Sequence, residues 1–207
     1  MRDEIASRNL RVCLPTPQSK ANTWPSSTLI RACTGAPRLV QGPEVPLPPG
    51  PPGTASSAGD PGRGAVLSAA YAFARPERLR GNPAAAARAV ASLEWMTATL
   101  PFEQQWIAAT PATFSRLTLG RDEVRGALGL SRDAPPHLVA AALGQAALAL
   151  DRGDREAAAT ALNPVAPGGG AGVLRVLDAL PRLPRAAEAT AMADHEMLRL
   201  MQEDPVS

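Results

Sequence analysis

Residues 135–163, with the sequence PPHLVAAALGQAALALDRGDREAAATALN, decide the fold of this chain. Apolar residues recur there at spacings of three and four, which places them on one side of an α-helix. They are Val139, Ala142, Leu143, Ala146 and Leu150. Gly153 can adopt the left-handed conformation that ends a helix, and Asp154 can cap the next one. Because about three residues join the two helices, we predict an antiparallel hairpin.

This hairpin needs other helices to cover its apolar side, because short amphipathic helices are not stable alone. Pro135 and Pro136 suit the first turn of its first helix, and Asp133 is expected to cap it. Its apolar residues should be buried mainly against the helix predicted over 83–100 or against the last helix. The residues expected to be buried are Val139, Leu143, Ala146, Leu150 and Leu162.

Helical patterns also fill the rest of the chain from about Gly64 onward. They start near Gly64, after an Asn82 cap, at Thr110-Pro111, after a glycine-rich loop over 164–172, and near residue 185. Gly120 lies inside the third pattern and is expected to bend or break that helix. No alternating apolar run predicts a strand. The sequence therefore predicts an all-α fold, a single bundle of about seven or eight short helices.

Large side chains that could fill the core are scarce. Aromatic residues make up only 3% of the chain, so we expect Trp95, Phe102 and Trp106 to be packing anchors. The residues of the first helix expected to face the core are Val66, Leu67, Ala70, Tyr71 and Ala74.

Residues 1–62 differ in composition from residues 63–204, which we assign to the helical domain. The first segment contains 11 of the 22 prolines, and its run GPEVPLPPGPPGTASSAGDPGRG predicts a flexible linker behind a disordered tail. It also carries six bases and four acids, which accounts for the net charge of +2. The balanced remainder argues against nucleic-acid binding. No apolar run of 18 or more residues predicts a transmembrane helix.

Cys13 and Cys33 both lie in the predicted tail, and neither has a metal-ligand spacing. The segment LIRAC, ending at Cys33, resembles a bacterial lipobox, in which a small residue precedes a lipid-bearing cysteine. Ile30 and Ala32 fit that pattern, whereas Arg31 departs from it. Residues 14–28 lack the apolar region of an export signal. Two interpretations of Cys33 follow. It is an ordinary cysteine of a cytoplasmic protein, or it is a lipid attachment site and the true gene start or reading frame differs, so that unrelated residues replace the export signal.

Candidate catalytic motifs each lack a required part. Residues 168–172, GGGAG, match neither phosphate-binding fingerprint. His195-Glu196 resembles half of a zinc-protease motif, but Arg199 stands where the second histidine belongs. Glu196 and Arg199 are expected to form a solvent-facing pair, and His137 to be a surface residue. We predict no catalytic, cofactor-binding or metal-binding residues.

Paired carboxylates occur at helix ends or turns, next to arginines, where capping and dipole complementarity explain them. These are Asp122 with Glu123, Asp151 with Asp154, and Glu203 with Asp204.

Two resemblances are carried by short segments. LDRGDREA, residues 150–157, resembles the turn of a tetratricopeptide repeat, but no second copy follows about 34 residues away. The segments AVLSAAYAFARPERL, AARAVASLEWMTATLP and DAPPHLVAAAL resemble uncharacterised Ala-rich helical proteins of GC-rich bacteria. That resemblance implies a bacterial context and brings no activity or site.

Three hypotheses of function follow. The first is a non-enzymatic helical interaction or structural module, tethered at the bacterial cell envelope if Cys33 is lipidated. The second is a cytosolic adapter that binds a partner helix, which needs an exposed apolar patch. The third is an enzyme of unrecognised type, which needs a pocket lined by polar groups such as Tyr71, His137 or an arginine pair.

Overall fold

The computed structural model describes residues 45–47 and 60–203. Within them lie seven α-helices and four short 3-10 helices, and no strand. The α-helices are α1 (Pro61–Ala74), α2 (Pro83–Thr99), α3 (Pro111–Leu128), α4 (Pro136–Asp151), α5 (Arg155–Leu162), α6 (Gly170–Asp178) and α7 (Pro184–Glu203). The 3-10 helices are Pro76–Leu79, Leu100–Phe102, Gln104–Trp106 and Asn163–Val165. The predicted all-α class is confirmed.

Side-chain caps mark the starts of three of the described α-helices. Asp60, Asn82 and Asp154 each accept a hydrogen bond from a backbone amide of the helix that follows, which satisfies one of its free donors. The expected Asp133 cap is wrong. Helix α4 begins two residues later than that cap allows, after Pro135, whose carbonyl accepts its first hydrogen bonds.

Helix α2 is the centre of the bundle. It packs against α1, α3, α4 and α6, and twelve of its residues are buried. Half of them are alanines, so neighbouring backbones can approach closely on several sides. Its large buried side chains include Val90, Leu93 and Met96, followed by Leu100 just beyond the helix end.

The predicted hairpin is α4 and α5. Gly153 has a positive φ of 74°, as its turn requires. Val139, Leu143, Ala146 and Leu162 are buried, and Leu150 is half-buried. Helix α4 packs on α2, which was the first of the two predicted partners.

Two predictions about the core were wrong. Helix α1 buries Val66, Ala69 and Phe73, whereas Leu67 and Tyr71 are exposed. The buried set follows the same spacing of three and four on a neighbouring side of the helix, so periodicity alone could not separate the two. Phe102 is exposed, while Trp95 and Trp106 are buried.

Gly120 does not break its helix, because α3 is continuous from Pro111 to Leu128. A Cβ atom at this position would lie 3.0 Å from the Cα of Ala186 and 3.1 Å from the Cβ of Ala189. The glycine therefore lets α7 approach the backbone of α3, which is a packing role.

The predicted disordered tail and most of the linker, with Cys13 and Cys33, lie outside the described residues. Two findings concern the predicted boundary at residue 63. Helix α1 already begins at Pro61, and Val45 is buried with the residues of the bundle. The division into tail and domain stays a prediction.

Candidate functional site

A buried ion pair joins α2 to α3. Arg125 Nε and Nη2 each donate to one oxygen of Glu94, at 2.6 Å. Each of the two residues is only 1% exposed. Both carboxylate oxygens are thereby occupied in a bidentate arrangement, which is the strongest geometry available to this pair.

The third nitrogen of the same guanidinium organises the loop after α3. Nη1 of Arg125 lies within hydrogen-bond distance of three carbonyl oxygens, those of Ser131 (3.2 Å), Arg132 (3.0 Å) and Ala134 (2.8 Å). Gly129, with φ of 69°, ends α3 and turns the chain back toward this side chain. All three nitrogens of the guanidinium are engaged and shielded from solvent, so this cluster organises the fold and has no donor to offer a substrate.

Helices α3 and α7 cap one another. Glu123 on α3 accepts from the backbone N–H of Ala186 in the first turn of α7, at 3.0 Å. Glu196 on α7 accepts from the backbone N–H of Thr110, the N-cap residue of α3. Thr110 itself makes no side-chain cap bond to α3. At each end of the pair, a carboxylate of one helix therefore accepts a hydrogen bond from a backbone N–H at the start of the other.

Glu196 pairs with Arg199 as predicted, but it does not face solvent, because it is buried at the start of α3. Its hydrogen bonds from Arg199, assisted by the N–H of Thr110, lower the pKa of Glu196 to about 2, against the opposing effect of burial. Arg199 also donates to the carbonyl of Ala108, at 2.8 Å. The two residues thus tie α7 to the segment before α3.

That segment, residues 100–109, will be called the corner. It consists of two 3-10 turns between α2 and α3, with Leu100, Trp106 and Ala109 buried. Phe102 is 51% exposed and Ile107 is 78% exposed. An exposed apolar patch is typical of an interaction surface when its side chains are contiguous.

Tyr71 lies on the surface between two arginines. The guanidinium carbons of Arg75 and Arg78 lie 5.1 and 5.8 Å from the ring centre, and Arg78 donates to the hydroxyl at 2.7 Å. The ring is therefore engaged in cation–π contacts and does not converge with other polar groups in a pocket.

The remaining predicted positions occupy separate places. His137 is exposed on α4 and His195 is exposed on α7. Asp154 caps α5, and Asp151 pairs with Arg88 on α2. Among the residues that the structure describes, no group of three or more His, Cys, Asp or Glu side chains could hold a metal ion.

The glycine-rich segment 168–172 packs against other parts of the protein. Asn163 Oδ1 accepts from the N–H of Gly170 at 2.8 Å, and Gly170 begins α6. A Cβ atom on Gly170 would lie 2.0 Å from the carbonyl oxygen of Ala159. The glycine therefore permits contact between α5 and α6, which is a reason for it other than phosphate binding.

A shallow groove of about 560 Å³ runs between α4 and α5. It is lined by Gln145, Asp154, Glu156, Ala157, Thr160 and Ala161. It contains none of the groups that the enzyme hypothesis named, and its Asp154 carboxylate already caps α5.

Sequence reasoning missed the Glu94–Arg125 pair and both interhelical caps. A signal existed for Glu94, since it lies three residues after Ala91 and four before Ala98, within the spacing of a buried face. Nothing local distinguishes Glu123 or Glu196 from surface acids, because their partners are 63 and 86 residues away.

The geometry defines the class: the described part of the chain is an all-helical bundle with an interlocked α3–α7 pair and one exposed apolar corner. None of its described helices is both long and apolar enough to cross a membrane. Comparison of the chain with family models, with curated proteins and with solved structures finds no match.

Proposed function

We propose that the helical domain is a non-enzymatic interaction module that binds a partner protein at the corner. The observation that carries the proposal is the exposure of Ile107 and Phe102 on a backbone that is already ordered. Trp106 anchors the corner in the core, and Arg199 holds the carbonyl of Ala108. A preformed surface loses little conformational entropy on binding.

The structure favours a partner that presents a helix. The part of the chain that the coordinates describe has no strand, so a partner cannot add a strand to a sheet edge there. An amphipathic helix with apolar anchors three and four residues apart can instead lay its side chains over Ile107 and Phe102.

The binding free energy available at the corner is small. Phe102 is already about half-buried and Ile107 is 78% exposed, so covering what remains of the two side chains contributes roughly 2–4 kcal/mol, and association costs at least about 4 kcal/mol. The corner alone therefore supports at most a weak, transient complex, and a partner must add contacts beside it. A stable homodimer buries at least about 1,200 Å², far more than these two side chains supply, so we favour a different protein over a second copy of this chain.

Photo-crosslinking in the cells that express the full chain tests this proposal. A photoreactive amino acid is introduced at position 107 or, as a matched control, at position 138, where Leu138 on α4 is 50% exposed. We expect a crosslinked protein from position 107 only. A synthetic copy of its crosslinked helix should bind the purified chain, and Ile107→Asp should weaken binding at least tenfold while Leu138→Asp leaves it unchanged.

Three results would count against the proposal. These are equal crosslinking from positions 107 and 138, equal effects of the two substitutions on binding, and a crosslink from position 107 to a second copy of the chain. The last result, with an Ile107→Asp variant that no longer self-associates, would make the corner a homodimer contact.

Tethering at the cell envelope is the part of the proposal that depends on Cys33, which lies outside the described residues. Its support is the resemblance of LIRAC to a lipobox before a proline-rich segment. Metabolic labelling with an alkyne fatty acid, in cells that express the gene from its own genomic context, tests it. Label that is lost in Cys33→Ser and kept in Cys13→Ser supports the tether. No label on the unaltered protein leaves the cytosolic adapter as the preferred form.

A further inference from the structure

Val45 is a core residue, although it lies in the proline-rich run before the first helix. Its side chain is 7% exposed and belongs to the same continuous apolar cluster as the residues of the bundle. Pro46 and Leu47 are exposed. Within the described segment 45–47, Val45 is therefore the residue that belongs to the core, whereas Leu47 is 38% exposed.

The residues around Val45 suit an extended segment that binds by one side chain. Pro46 has no N–H that would need a partner, and its ring confines Val45 to extended conformations. Such a segment is already close to its bound conformation, so little entropy is lost when it docks.

The connection to the first helix is long enough for release. Twelve residues, 48–59, separate Leu47 from the Asp60 cap of α1. Extended, they span up to about 40 Å, which exceeds the length of roughly 26 Å that the 17 residues of α2 occupy. Segment 45–47 can therefore leave its site while α1 stays in place.

We propose that residues 45–47 are an intramolecular strap that fills a binding site for short, extended Val-Pro segments. The bundle supplies an apolar pocket for the valine, and the chain occupies it with its own Val45. A partner protein that carries an extended segment of the same chemistry competes for the pocket when the strap is released. This inference does not depend on the proposed role of the corner.

Two substitutions in the full chain test the strap. Val45→Asp should displace it, whereas Leu47→Asp adds the same charge two residues away at an exposed position. The probe is a fluorescein-labelled peptide with the sequence of residues 42–50, GPEVPLPPG, and binding is followed by fluorescence anisotropy. We expect Val45→Asp to bind the peptide at least tenfold more tightly than the unaltered chain and Leu47→Asp do, because its pocket is empty.

A second measurement separates the pocket from general unfolding. Losing the buried valine should lower the folding equilibrium constant in urea by about 5- to 30-fold, and saturating peptide should restore most of that loss. If Val45→Asp does not fold, Val45→Ala takes its place, with a smaller change in the same direction. Equal stability of the Val45 and Leu47 variants would overturn the inference. So would a peptide that binds neither variant, or one whose binding survives replacement of its own valine by aspartate.

Discussion

Replacing Arg125 with methionine removes the hydrogen bonds that join the loop after α3 to Glu94 of α2. The guanidinium makes two bonds of 2.6 Å to Glu94 and reaches three backbone carbonyls. Breaking a buried pair by removing one partner costs about 3–5 kcal/mol, since the other charge is left uncompensated. We therefore expect Arg125→Met to lose at least about 4 kcal/mol, a large share of the 5–15 kcal/mol typical of a domain.

Urea denaturation followed by circular dichroism measures this loss. Arg116→Met is the matched control, since Arg116 pairs with Glu188 at 3.0 Å but the two side chains are 48% and 51% exposed. That pair should contribute less than about 1 kcal/mol. A loss below about 1 kcal/mol for Arg125→Met, or equal losses for the two variants, would refute the reasoning.

The double substitution Glu94→Met with Arg125→Met separates the charge pair from the loop contacts. Replacing both partners of a buried ion pair by apolar residues is often neutral or stabilising. Here the three carbonyls still lose their donor, so we expect recovery of part of the stability and not all of it. Full recovery would show that the carbonyl contacts contribute nothing.

Three further predictions concern helix contacts. Gly170→Ala should lose at least about 3 kcal/mol of stability in the urea assay, because its Cβ would overlap the carbonyl oxygen of Ala159. Gly172→Ala is the control: its Cβ would meet nothing closer than 3.9 Å, so stability should be unchanged or rise by up to about 1 kcal/mol. Gly120→Ala should lose about 1–2 kcal/mol, since the 3.0 Å approach of α7 outweighs the gain in helix propensity. The Glu196 carboxylate should contribute stability above pH 4.5 that disappears as the pH falls toward 2. Its shift corresponds to about 3 kcal/mol before discounting for the partly exposed arginine beside it, so Glu196→Gln should flatten that part of the pH profile by about 1–2 kcal/mol.

Helix class and most boundaries were predictable from the sequence because they depend on neighbouring residues. Asn82 and Asp154 cap the helices that begin at the next residue. Gly153 adopts a positive φ in the turn between α4 and α5, a conformation that depends on the glycine itself and not on a distant contact. The partner of the hairpin, α2, was one of the two helices predicted. The prediction was possible because the apolar side of the hairpin can be buried only against another long apolar helix face.

Side-chain burial was less predictable where two sides of a helix are similarly apolar. In α1, Tyr71 and Phe73 lie two residues apart. Phe73 is the buried one because α2 and α7 pack against its side of the helix. Gly120 illustrates the same dependence, since its local effect on helix propensity is unfavourable and its packing role appears only when α7 lies against it.

The candidate site could not be predicted because its members come from distant parts of the chain. Glu94 and Arg125 are 31 residues apart, and each is unremarkable by type. Within the corner, Phe102 was predicted to be a packing anchor, because it stands between two tryptophans in the sequence. Its exposure results from the 3-10 turns, which direct Trp106 inward and leave Phe102 and Ile107 outside.

The reciprocal carboxylates of α3 and α7 have a consequence for the order of folding. Glu123 and Glu196 bridge sequence separations of 63 and 86 residues, so loop closure must precede either bond. During synthesis, the start of α3 remains without its carboxylate until the last helix has emerged. We therefore expect the α3–α7 pair to assemble late in folding. In hydrogen exchange the amides at the starts of both helices should open together, on the same timescale, as one cooperative unit.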